Sequence, residues 1–455
     1  MTERRLDTYD LLQGPVLKSL MRFALPIMIG TLLQQLYSMV DAVVLGQFVG
    51  KTALAAVGGS SVAIINLLLN FFVGLTSGAA IIISQHYGAN ETDQVRRAVH
   101  TSLLMAVGIG AVMTALGIGT ARGLLTALET PADTMDYSLD YMRWYFAGMI
   151  PSMIYNMGSS VLRAVGDSRR PLYFLILCTA VNTVLDLLFV AVFRMEVAGA
   201  AIATSLSQMI CAAFVLYSLA RRTDACRLEW RMLRAETALL RKMLLLGLPS
   251  GLQSILYNVT NVYVQKAVNL MGTDTVAAWS ICGKLDGLYW PISGAIGIAV
   301  MTFIGQNYGA RNTSRVRSGI HAGWGFHIVV SLAFSAVTVL LRSPGAHLFS
   351  SDAAVILQAE QFLLYMSSFY ALFSSVEVLS SAMRGVGNAM KPALITFFGV
   401  SVLRMTLLFT VAFPHLSTLT ISLCYPTTWV AASVIFILYY KFGHWMPPYP
   451  EEQSE

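Results

Sequence analysis

Six ionisable residues stand inside long apolar stretches of the sequence: Asp41, Asp186, Lys284, Asp286, Glu377 and Arg404. A charge in such a stretch costs free energy unless it is paired or hydrated, so each is a candidate for ion or ligand chemistry. Asp41 and Asp186 have no basic neighbour in sequence. Asn182 precedes Asp186 by one helical turn, which puts both on one face of a helix, and Thr204 lies in the next apolar stretch. Two carboxylates, an amide and a hydroxyl form an oxygen-rich set that calls for a cation. Hard oxygen ligands suit sodium, held by Asp41 and Asp186, while a carboxylate with a like-charged neighbour suits a proton. The plainer alternative is that Asn182 and Asp186 only bond helices together.

The second half of the chain offers a different set. Lys284, Asp286, Glu377 and Arg404 are two bases and two acids. Asp286 and Arg404 fall at similar depth and could pair, leaving Lys284 and Glu377; the set is then either a lock between helices or part of a substrate site. Gln34, Tyr37, Gln253, Asn258, Asp286 and Glu377 are the candidates for a substrate cleft, since polar side chains in apolar stretches need a partner or a wet cavity. Met28, Met39, Met153, Met157, Met301, Tyr155, Tyr257, Tyr289 and Trp290 could furnish an adaptable aromatic wall for flat organic cations, though such residues usually serve packing.

Other chemistries find no support. No nucleophile is paired with a base, so an enzyme is not indicated. Gly46-Gln47-Phe48-Val49-Gly50-Lys51-Thr52 is one residue short of a phosphate-binding loop and follows no strand. The seven histidines give no i, i+4 pair, and Asn90 and Asn312 head glycosylation-like triplets in loops expected to be cytoplasmic. Cys178, Cys211, Cys226, Cys282 and Cys424 have no ligand or redox spacing and are expected to pack as small apolar residues.

The elements that must position these residues are membrane helices. Of 455 residues, 56% are hydrophobic and 12% charged, half the charge a soluble surface uses. Apolar runs mark twelve spans near 18–47, 52–84, 96–120, 138–162, 171–193, 197–220, 240–270, 275–305, 316–341, 358–384, 392–413 and 416–440. The expected fold is an all-α polytopic membrane protein. The polar, mixed-charge segment ahead of the first run lacks the pattern of a cleaved leader, so the first span is expected to be retained. With both termini cytoplasmic, 22 of the 30 basic residues fall inside and six outside, as the positive-inside rule requires for a plasma or inner-membrane protein. That bias accounts for the net charge of +6 without nucleic acid. At about 1.5 Å per residue, Asp41, Asp186 and Thr204 sit roughly 10 Å below the outer surface. Pro26 permits a bend in the first span.

The chain also contains itself twice. Gln85-His86-Tyr87-Gly88-Ala89 returns as Gln306-Asn307-Tyr308-Gly309-Ala310, Ser159–Gly166 returns as Ser380–Gly387, and Pro171 answers to Pro392, all at one offset of 221. Leu25-Pro26 matches Leu248-Pro249 at 223. The repeat is a six-span bundle, residues 1–221 and 240–455, joined by a basic cytoplasmic linker at 222–239. Six spans are even, so both copies run the same way and are expected to be related by a pseudo-two-fold axis along the membrane normal. A cleft between rocking bundles is the architecture of alternating access.

The Gln-x-Tyr-Gly-Ala loops, the Arg-x-Val-Gly-(Asp/Asn)-x-x-(Arg/Lys)-Pro loops and the Leu-Pro opening each half resemble the multidrug and toxic compound extrusion (MATE) family over nearly the whole chain. The resemblance implies secondary antiport of small organic cations against sodium ions or protons, with no other cofactor. It also implies an ion site of a first-span Asp, a fifth-span Asn-x-x-x-Asp and a sixth-span Thr, matched here by Asp41, Asn182, Asp186 and Thr204. The protein is expected to be a monomer. The alternative is a flippase for lipid-linked saccharide, which would want more basic residues in the cleft than Lys284 and Arg404.

Overall fold

The structure of the protein, a computed structural model, describes residues 10–448, without the side chains of residues 36–40, 42–43, 46, 51–52, 54–55 and 60. In lipid every backbone N–H and C=O must find its partner within the segment, and the helix is the local way to do this. The described residues contain helices and no strand. The first half runs α1 (Val16–Phe48), α2 (Lys51–Gly58), α3 (Ser60–Gly88), α4 (Thr92–Ala127), α5 (Ala132–Ala147), α6 (Met149–Ala164), α7 (Arg169–Asp186), a π-helical turn (Leu187–Val192) and α8 (Glu196–Ala220). The second runs α9 (Thr237–Asn269), α10 (Thr273–Asp286), α11 (Tyr289–Gly309), α12 (Thr313–Leu340), α13 (Arg342–His347), α14 (Ala353–Ser367), α15 (Tyr370–Gly385) and α16 (Met390–Thr396). A π-helical turn (Phe397–Val402), α17 (Leu403–Leu407), a second π-helical turn (Leu408–Ala412) and α18 (Thr418–Phe442) complete it.

These elements make twelve membrane-spanning rods in two six-helix bundles. Among the described residues, nine rods are apolar and long enough to cross a bilayer by themselves, and α14 with α15, bent by 45°, makes a tenth. The remaining two, α5 with α6 and α9, are the more polar, and they carry tyrosines, glutamines and asparagines considered below. Large apolar side chains lie open on the outside, Val192 and Val262 at 66% and Leu340 at 76% exposure, a surface suited to lipid rather than water.

Four rods expected as continuous runs are broken: α2/α3, α5/α6, α10/α11 and α14/α15. At the α5/α6 break a Cβ on Gly148 would stand 2.7 Å from Ser205 Cβ of α8, so only glycine lets the two helices approach. The carbonyls released there are taken by hydroxyls: Ser205 Oγ donates to Trp144 O at 2.9 Å and Thr114 Oγ1 to Phe146 O at 2.8 Å. The α14/α15 break uses the same device, with Ser335 Oγ donating to Ser367 O at 2.6 Å. Thr114 and Ser335, like Phe146 and Ser367, are equivalent positions of the repeat.

The repeat is equally plain in the loops. Asn90 and Arg311 both take left-handed backbone, at φ 60° and 57°, and Gly166 and Gly387 both stand at φ 89°. Arg163 and Arg384 each donate to a serine one turn back, Ser160 at 3.0 Å and Ser381 at 2.9 Å. In each half one helix is central: α6 packs on α3, α4 and α8, and α15 on α11, α12 and α18.

By compactness the chain divides into Ile29–Gly251 and, separately, Asp10–Met28 with the residues from Leu252 on. In the first unit the basic connector after α8 is tied down. Arg222 bridges Asp167 at 3.3 Å and Asp224 at 2.7 Å, and His100 Nε2 meets the Glu229 backbone. Burial raises the Asp167 carboxyl above its ordinary value, against the lowering pull of Arg170 and Arg222. In the second unit Arg315 donates to the carbonyls of Leu11, Gln13 and Gly14.

Candidate functional site

The polar set of the first unit is built on α7. Asn182 and Asp186 are one turn apart and fully buried, and directly after Asp186 the helix widens into its π-helical turn, a distortion that recurs at functional sites. Both Asp186 oxygens and both ends of the Asn182 amide lack a hydrogen-bond partner among the described residues. The Asp186 carboxyl is close enough to Asp41 of α1 for the two to interact directly. Repulsion between carboxylates in so apolar a setting is relieved by a proton or a bound cation.

Two tyrosines complete the cluster. Tyr141 interacts with both Asp41 and Asp186, and Tyr145 with Asp41; their rings lie 5.7 Å apart on α5. Sequence reasoning missed them. The signal was a Tyr-x-x-x-Tyr pair within a span, where each hydroxyl needs a polar neighbour. Thr204 is buried on α8. Cys178, one turn before Asn182, is joined to Cys211 of α8 by a disulfide with Cα atoms 6.0 Å apart. This corrects the expectation that all five cysteines only pack. A link across neighbouring helices leaves no trace in spacing, and the other three are buried thiols.

The second unit contains a cavity of about 500 Å³. Trp279, Trp290, Phe373, Tyr425 and Trp429 form its aromatic walls, and Asp286, Glu377 and Arg404 its charges. Asp286 ends α10 at the helix break and accepts hydrogen bonds from Trp290 Nε1, at 2.6 Å, and from the Tyr370 hydroxyl. Glu377 accepts from Ser381 Oγ at 3.3 Å. Arg404 places its guanidinium 4.0 Å from the Tyr425 ring centroid and donates to Thr428 Oγ1 at 3.2 Å. The Asp286–Arg404 pair that similar depth allowed is therefore not formed. Asp286 is satisfied by α11 and α15, whereas Arg404, between two π-helical turns, is turned onto α18. Lys284 lies with Nζ 5.0 Å from the Phe349 ring centroid.

The other cleft candidates separate. Gln253 interacts with Tyr257, a lining residue. Asn258 donates to Ser254 O at 2.8 Å on its own helix and is absent from the lining. Gln34 is exposed on α1 in the first unit, and the side chain of Tyr37 lies outside the described residues. Of the residues expected to form an aromatic wall, Tyr257 and Trp290 line the cavity. Tyr289 is fully buried behind it, stacked on Tyr370 at 4.0 Å. Met153 and Met157 are core.

Comparison with known proteins agrees with this architecture. A family model described as MatE matches residues 26–188 and 249–410, one copy per repeat. The probable multidrug resistance protein YpnP of Bacillus subtilis is 31% identical over 97% of this chain and 98% of its own length. An FAD transporter of Shewanella oneidensis is 23% identical over 88% of this chain and 89% of its own length. Among solved structures, an outward-facing MATE multidrug resistance transporter has a TM-score of 0.88 at 23% identity, covering 96% of this chain and 98% of that one. A transporter of the MOP superfamily from Pyrococcus furiosus has a TM-score of 0.89 at 22% identity, with the same coverage. With a family match in both halves and a relative at 31% identity over 98% of its length, the chain belongs to the MATE family of multidrug efflux transporters and is not an enzyme.

Proposed function

We propose that the protein is a secondary antiporter that exports small organic cations in exchange for sodium ions or protons. The observation that carries the coupling role is the adjacency of Asp41 and Asp186, with which Tyr141 and Tyr145 interact. Two adjacent carboxyls in so apolar a setting bind one positive charge, as a shared proton or as a sodium ion that the Asn182 amide and the Thr204 hydroxyl help to ligate. The family needs no resident cofactor, so the coupling ion is the one species besides substrate that the reading requires.

The second-unit cavity is the proposed substrate site. Its volume is within the range of drug-sized pockets, and aromatic faces beside Asp286 and Glu377 favour a flat cation. The multidrug resistance name of the Bacillus subtilis relative favours this reading over a lipid-linked saccharide flippase. The halves 1–221 and 240–455 would be the moving bodies and 222–239 the joint, in a plasma-membrane monomer with both termini cytoplasmic.

The test is efflux of the fluorescent cation ethidium from proteoliposomes, with sodium and proton gradients imposed separately. Acceleration by either gradient supports antiport and names the ion. Indifference to both, with transport of a lipid-linked saccharide instead, overturns the proposal.

A further inference from the structure

Behind the cavity, α11, α12 and α15 hold a chain of polar side chains that the reading above does not use. His327, on α12, is fully buried. Its Nε2 is 2.9 Å from Ser293 Oγ of α11. Its Nδ1 is 2.9 Å from Ser374 Oγ of α15 and 3.1 Å from Ser331 Oγ one turn along α12. Ser331 Oγ is in turn 2.9 Å from the Tyr289 hydroxyl. Ser293 lines the cavity, so a single hydroxyl separates the ring from it.

Every side-chain partner of the ring is a hydroxyl, which can donate or accept. A neutral imidazole donates from one nitrogen and accepts at the other, whereas an imidazolium donates from both. Turning the hydroxyls satisfies either state without moving the backbone. The fold itself does not require the chain: in the first half, the repeat positions equivalent to Ser293, His327, Ser331 and Ser374 hold Phe72, Ala106, Gly110 and Met153.

The groups facing the ring are few. Ser293 comes from α11, Ser374 from α15 and Ser331 from α12 itself, while Tyr289 of α11 stands one bond further off, between Ser331 and the Tyr370 carbonyl of α15. No charged side chain acts on it directly among the described residues, α13 and α14 included. The acids Asp286 and Glu377 reach it through Tyr289, which interacts with both.

We infer that His327 is a proton-binding site of the second half, exchanging its proton with the cavity through Ser293 and opposing a bound cation when charged. The inference rests on the cavity binding organic cations, as proposed above. Protonation of the ring and occupancy by a cation then exclude one another in part, so proton entry helps to expel substrate.

The test is binding of radiolabelled tetraphenylphosphonium to the purified full-length protein at about pH 8 and about pH 4.5, the latter far enough below the ordinary imidazole value to charge a fully buried ring. Wild type should bind roughly tenfold more weakly at the lower pH, the scale of one added charge at an effective dielectric of about 20. His327→Gln, which keeps a donor and an acceptor, should bind as wild type at the higher pH and lose most of that dependence. Ser293→Ala should also reduce it. Undiminished pH dependence in His327→Gln overturns the inference and leaves Asp286 and Glu377 as its source. If wild type binds no tetraphenylphosphonium at either pH, the cation-export reading fails instead. His327 is then read by NMR of imidazole-labelled protein, using the signal missing from His327→Gln: a ring that stays neutral throughout overturns the inference, and one that takes up a proton supports it.

Discussion

Arg404 lies over Tyr425 rather than against Asp286, and that choice sets the charge of the cavity. Because the guanidinium is engaged by an aromatic face and a hydroxyl, the two acids keep their attraction for a cation. Glu377→Gln should therefore weaken binding of ethidium to the purified protein roughly tenfold, while Arg404→Met should strengthen it several-fold, both as effects of one unit charge in a medium of intermediate dielectric. Equal binding by all three forms would place the cation elsewhere. The acids were legible in the sequence because a charge in an apolar run stands out. Their partners were not, since whether Arg404 reaches α10 or α18 depends on how helices far apart in sequence are rotated. Tyr141 and Tyr145 escaped notice for a related reason: a tyrosine in a span is ordinary until a carboxyl is found beside it.

Helix breaks are the features by which elements place these groups. Asp286 ends α10 where the rod is interrupted, and Asp186 ends α7 where the helix widens. The hydroxyl caps on the freed carbonyls should each contribute on the order of 1 kcal/mol, so Thr114→Val and Ser335→Ala should each lower thermal stability in detergent by that amount. Gly148→Val should cost more, because Ser205 leaves no room for a side chain. Unchanged unfolding temperatures in all three variants would show that the breaks need no such support. The number of rods and the repeat were legible from apolar runs and from loop motifs at one offset. The breaks were not. Gly148 and Gly287 lie in runs with the composition of continuous spans, and at Gly148 the need for glycine arises only from the neighbouring helix.

The distribution of basic residues gives the whole molecule its expected orientation, with the connector between α8 and α9 on the cytoplasmic side. Arg231, exposed on that connector, offers a direct check. Arg231→Cys should react with a membrane-impermeant maleimide in inverted vesicles and not in intact cells; the opposite pattern would reverse the topology. The same connector is fastened to its own unit by the buried Asp167–Arg222 bridge. Removing one partner of a buried bridge typically costs about 3 kcal/mol or more, so Asp167→Ala should lower the unfolding temperature markedly.

At this scale the two halves share a backbone plan and differ in what they carry. Asn182 and Asp186 have Leu403 and Leu407 at the equivalent repeat positions of the second half, and the aromatic cavity described above belongs to that half. Ion coupling in one half and substrate in the other is the division of labour that the account requires. The most direct measurement is ethidium transport in proteoliposomes under an imposed ion gradient, for wild type and Asp186→Asn, together with ethidium binding to each purified protein. The account predicts that the variant binds ethidium as wild type does but no longer responds to the gradient. Gradient-driven transport that survives in Asp186→Asn at the wild-type rate would contradict it.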